Sequence, residues 1–89
     1  MVKNSNTFIG VDGFHRKQSE DAKISLNIAA LFGTDLGKDV LKYLRSVTID
    51  LVNGPAVTDG ELRHVEGQRY VIGLIETRIK HAHRVKNNV

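Results

Sequence analysis

The 89-residue chain has no cysteine. That excludes a disulfide framework and a thiolate zinc site, the usual staples of a domain this small. The lack of thiols is compatible with a reducing compartment. No apolar run approaches the roughly 20 residues that span a bilayer. The opening stretch Met1-Val2-Lys3-Asn4-Ser5-Asn6-Thr7 has no apolar core of the secretory kind. The chain is therefore expected in a cytoplasm, or in something assembled there. There is no internal repeat and no low-complexity segment.

Acidic residues are missing from one end. After Glu76 come Arg78, Lys80, Arg84 and Lys86, with His81 and His83 among them and no carboxylate side chain. This is either a helix C-terminus whose cations complement the dipole or a contact to phosphate or an acidic partner. No aromatic residue interleaves these cations, so the stacking platform of a single-strand binder is absent.

Catalytic sets are also lacking. The sequence offers no nucleophile–base pair, no paired carboxylates and no glycine-rich phosphate loop after a strand. Gly33-Thr34-Asp35-Leu36-Gly37 lacks the lysine and hydroxyl residue of a Walker loop and reads as a joint between helices. His81 and His83 would project about 200° apart on a helix and cannot share a metal. His15 and His64 lie far from both in sequence. Neither an enzyme, a metal nor a cofactor is expected.

What is present is helical patterning. Residues 1–18 fit no helical stripe: Gly10 and Gly13 punctuate Phe8, Ile9, Val11 and Phe14. They read as an extended arm or a disordered terminus. As an arm, Phe8, Ile9 and Phe14 would dock on a neighbour and order there.

A helical domain follows over 19–85, with a tail at 86–89. The first helix starts near Ser19, with Glu20 and Asp21 suited to its positive end, and stops at Gly33. Ile24, Ile28, Leu31 and Phe32 form its stripe. Thr34 caps the second helix, whose stripe Leu36, Val40, Leu44, Val47 and Leu51 carries it to about Val52. Asn53-Gly54-Pro55 breaks the chain. Thr58 and Glu61 fit a capping box opening a third helix to about Arg84. Its stripe is Leu62, Val65, Ile72, Ile75, Ile79 and Ala82. The expected fold is an all-α, three-helix domain built on an antiparallel hairpin of the second and third helices.

The third helix holds two interior glycines, Gly67 and Gly73. Each should cost about 1 kcal/mol relative to alanine. With Gly37 they point to close helix contact, in this subunit or with a neighbour. Glu66 and Arg69 can pair at a spacing of three. Arg69 falls on the apolar stripe, either as a structural ion pair with its stem along apolar surface or as a directional contact at an interface.

Two segments carry a resemblance. Leu31-Phe32-Gly33-Thr34-Asp35-Leu36-Gly37-Lys38-Asp39-Val40-Leu41-Lys42-Tyr43-Leu44 is similar to the first signature of a family of small virion proteins of tailed bacteriophages, typified in a Bordetella phage. Glu66-Gly67-Gln68-Arg69-Tyr70-Val71-Ile72, running on to Ile75 and Ile79, resembles the second. The match spans roughly 28–80. Lys38 and Asp39 stand where the family often has arginines, so no role of those arginines carries over. The resemblance implies a non-enzymatic, multi-copy virion component at the head–tail region or internal core. Its partners would be portal, adaptor or core proteins, with possible contact to packaged DNA. Such a protein resides in the virion and, during assembly, in the host cytoplasm. The alternative is a small DNA-binding or regulatory protein using the first two helices as a helix-turn-helix. Its reader would show Asp35, Lys38, Asp39, Lys42 and Arg45, a face of mixed charge.

Overall fold

Glycine and aspartate shape the turn at residues 10–14. In the computed structural model, which describes residues 7–51 and 54–87, Gly13 takes a left-handed φ of 88°, a region open mainly to glycine. The Asp12 carboxylate accepts the Phe14 amide at 3.0 Å, and the Gly10 amide donates to the Phe14 carbonyl at 2.8 Å. These bonds fold β1 (Phe8–Ile9) back on β2 (His15–Arg16) as an antiparallel pair, Phe8 opposite Arg16 and Ile9 opposite His15. The expected extended arm is thus a small hairpin over its described part; residues 1–6 lie outside the described residues.

Three helices follow: α1 (Gln18–Phe32), α2 (Asp35–Ser46) and α3 (Asp59–Asn87). The fold is mostly helical with a two-stranded sheet. At the start of α1 the Lys17 amide donates to the Glu20 carboxylate at 3.3 Å. Thr34 is the expected cap of α2: its hydroxyl oxygen accepts the Gly37 amide at 2.9 Å and donates to the Leu31 carbonyl at 2.9 Å. Gly37 is buried at this joint, where a Cβ would collide with the Leu31 carbonyl and lie 2.7 Å from the Phe32 Cα. Thr58 accepts the Glu61 amide at 3.1 Å and opens α3.

α2 stops six residues before its expected end. Beyond Ser46 the chain runs through turns at 47–50. The β-branched run Val47-Thr48-Ile49 fits a helix poorly, and the Thr48 hydroxyl back-bonds to the Leu44 carbonyl at 2.6 Å. The Asp50 amide returns to the Arg45 carbonyl at 3.0 Å. Val52 and Asn53 lie outside the described residues.

Helix pairing also differs from expectation. The principal packing is α1 on α3, followed by α1 on α2. α2 and α3 are joined by polar links and do not form the main hairpin. The reason lies in α1, where Asp21, Ser25, Ile28 and Phe32 fall on one line at helical spacing. Asp21 and Ser25 are fully buried, and Ile28 and Phe32 half-buried. This line faces the C-terminal half of α3, where Ile72, Arg78 and Ala82 are buried.

The resulting body is flat. Its principal extents are 51 × 38 × 16 Å. Among the described residues the buried hydrophobic side chains are Ile72 and Ala82, while twelve large hydrophobics are exposed. The α2 stripe is the clearest case: Leu36 and Val40 and, past the helix, Val47 and Leu51 are all exposed instead of forming core.

Candidate functional site

Two features stand out: a buried charge cluster at one end and an uncovered apolar face on α2. The cluster is built on Arg78, whose residue is 1% exposed. It sits on the apolar stripe of α3 and reaches α1. Its Nη1 donates to the Asp21 backbone carbonyl and to the Ser25 hydroxyl, both at 3.0 Å. Its Nη2 lies 2.8 Å from Asp21 Oδ1 and 3.2 Å from Asp12 Oδ2. Those two approaches are ion pairs by distance, but neither has hydrogen-bond direction, and Asp21 Oδ2 is also without a hydrogen-bond partner. Ser25 Oγ is 2.7 Å from His81 Nδ1, which ties a second residue of α3 to α1.

The hairpin closes this cluster. Arg16 pairs with Asp12 at 2.6 Å and approaches Asp21 at 3.4 Å, and its guanidinium lies 5.5 Å from the Phe14 ring centroid. The Arg16 guanidinium holds the Asp12 carboxyl well below the usual carboxylate range, with the Phe14 amide assisting and burial opposing. Gly10 is buried directly over Asp21: a Cβ there would strike Oδ1 and come within 3.0 Å of Cγ. Charge and a glycine, and not the aromatic side chains, seat the N-terminal segment. Phe8, Ile9 and Phe14 are exposed on this subunit, so any docking by them is to something outside it. Asp21, Ser25 and Arg78 are buried, while Asp12, Arg16 and His81 at the cluster's edge are half-buried.

Arg78 must therefore be removed from the cations expected to meet phosphate or an acidic partner. Lys80, Arg84 and Lys86 are exposed. The helix turns Arg78 toward α1 while those three point to solvent.

A second polar junction joins α2 to α3. Arg69 spreads its guanidinium over three acceptors: the Thr48 carbonyl at 3.1 Å, the Leu51 carbonyl at 2.7 Å and the Glu66 carboxylate at 2.9 Å. It thereby accepts the loose end of α2 onto α3, a use suited to a planar fork. Arg45 links Glu76 on α3 to Asp50 in the turn, the latter at 3.3 Å, and its ionised form is favoured mainly by Glu76.

The expected packing glycines divide. Gly37 is a tight contact within the subunit. At Gly67 and Gly73 a Cβ would meet nothing within 4 Å, so neither packs on α2 or α1 here. Close contact at these two positions is left to a neighbour. Among the described residues no group of three or more His, Asp or Glu is placed to hold a metal ion, and no helix is long and apolar enough to cross a membrane.

Comparison with protein-family models, curated proteins and solved structures finds no match to this chain.

Proposed function

We propose that this chain is a non-enzymatic, multi-copy structural subunit of a tailed-phage virion, placed at the head–tail region or in the internal core. One observation supports the structural part: among the described residues twelve large hydrophobics are exposed, Ile72 is buried and the others are half-buried. A domain stable alone packs two layers around a core. The virion assignment is supported by the paired signatures at Leu31–Leu44 and Glu66–Ile72. Portal, adaptor and core proteins are the partners this role entails.

The test is mass spectrometry of purified particles of the phage encoding the chain. The protein should co-purify at a fixed copy number per portal. Its absence from particles that infect normally contradicts the assignment.

A further inference from the structure

We infer that the outer face of the C-terminal half of α3 is a docking surface for double-stranded DNA, held through the phosphate backbone without regard to base sequence. The inference goes beyond the structural role above and does not depend on it. Arg16, Arg45, Arg69 and Arg78 are each held in ion pairs within the fold. Among the described residues no ion pair reaches Lys80, Arg84 or Lys86, and all three are exposed. The carboxylate that helix spacing would offer Lys80 is Glu76, four residues back, and Arg45 takes it. Lys80 and Arg84 are instead like charges at a spacing of four, which weakens a helix. Compensation of the helix dipole accounts for Arg84 and Lys86, in the last turn of α3, but fades before Lys80. The fold keeps this charge at a local cost with no return inside the subunit, the mark of a surface kept for a partner.

The pattern of the face selects the partner. Tyr70, Gly73, Thr77, Lys80, Arg84 and Asn87 recur at spacings of three, four, three, four and three. At 100° per residue they share an arc of about 100°, opposite buried Arg78 and Ala82. Gly73 is half-buried and the other five are exposed. A Cβ at Gly73 would meet nothing within 4 Å, so the backbone is open to approach there. The stripe is about 25 Å long at 1.5 Å per residue, too long for one small anion and suited to an extended one. It holds no carboxylate and, past Tyr70, no apolar side chain. The cores of protein–protein interfaces are the reverse, poor in charge and rich in aromatic groups. Lysine, arginine, threonine, tyrosine and asparagine are the side chains that contact DNA phosphates, and such contacts carry no base information. Single strands are held by aromatic rings set among the cations. On this stripe the one ring, Tyr70, stands apart from Lys80 and Arg84, so the duplex is the form that fits.

Fluorescence anisotropy of a labelled random-sequence DNA duplex, titrated with the full purified chain, tests this. Affinity should fall about tenfold or more between about 50 and about 200 mM salt, the loss expected when about two to three phosphates are neutralised. Lys80→Gln combined with Arg84→Gln should weaken binding at the lower salt by about tenfold or more and reduce the salt slope by about two. Lys38→Gln combined with Lys42→Gln removes the same charge from α2, where both lysines are exposed. That variant should keep its affinity within about twofold, because phosphate contact and not net charge carries the binding. Circular dichroism should show both double variants as helical as the wild type, since all four side chains lie at the surface. No binding to the duplex at the lower salt with about 100 μM protein overturns the proposal. Equal losses in the two double variants overturn it also, since they reduce the effect to net charge. So does tighter binding to a single strand, to duplex RNA or to poly-glutamate than to duplex DNA.

Discussion

Arg78 concentrates the energetic risk of the structure at one side chain. It is enclosed with Asp21 and Asp12 and donates to Asp21 and Ser25 on α1. Breaking a buried pair by removing one partner costs about 3–5 kcal/mol, because the other charge stays behind. Arg78→Met is therefore expected to lower stability by that amount in urea unfolding. Asp21→Asn combined with Arg78→Met should recover part of it. Gly10→Ala strikes the same cluster from above, through the clash with the Asp21 carboxylate, and should loosen the hairpin while leaving the helices formed. Asp12 adds a pH dependence. Its folded carboxyl is held below the ordinary range by Arg16, so the stability it lends is full above about pH 4 and lost as acid drives the pH toward its lowered folded value. Hydrogen-exchange protection of the Gly10 amide should hold from neutral pH down to about pH 5 and fall below about pH 4. Asp12→Asn should lower the protection and flatten that acid dependence.

At the scale of elements, the end of α1 and the starts of α2 and α3 were legible because they rest on local chemistry, whereas the end of α2 was not. Thr34, Gly33 and Thr58 act where capping rules place them. The inward face of α1 was not legible. Asp21 satisfies the rule for an acid near a helix start, and that role hid its burial. The available signal was Arg78, a cation amid Ile72, Ile75, Ile79 and Ala82 that demanded a counter-charge. The α2 stripe was legible as a stripe, but periodicity says only that a face is apolar, not which chain covers it. Arg69 illustrates the same limit: its pairing with Glu66 follows from spacing, while its hold on the Thr48 and Leu51 carbonyls depends on where α2 stops. Arg69→Lys should free the end of α2 and cost about 1.5–3 kcal/mol, since lysine lacks the fork. The glycines of α3 give an opposite prediction. With open space at Gly67 and Gly73, alanine at either should raise the helicity and melting temperature of dilute protein, by about 1 kcal/mol each. If a neighbour packs there, the same substitutions should reduce incorporation into assemblies.

The whole molecule is a layer held by polar fastenings. Charge clusters join hairpin to α1 and α3, and Arg69 and Arg45 join α2 to α3. The apolar surfaces that normally supply stability instead face outward. On the proposed multi-copy reading, such a chain would gain further burial by association, and its stability would then depend on its own concentration. The direct measurement is the thermal unfolding midpoint of the purified chain across about a hundredfold range of concentration. Completion by further copies requires the midpoint to climb by several degrees over that range, roughly as a gain of 1–3 kcal/mol implies for a domain of this size. A midpoint that does not move, with cooperative unfolding at every concentration, would show that one copy is stable by itself and contradict the proposed open subunit.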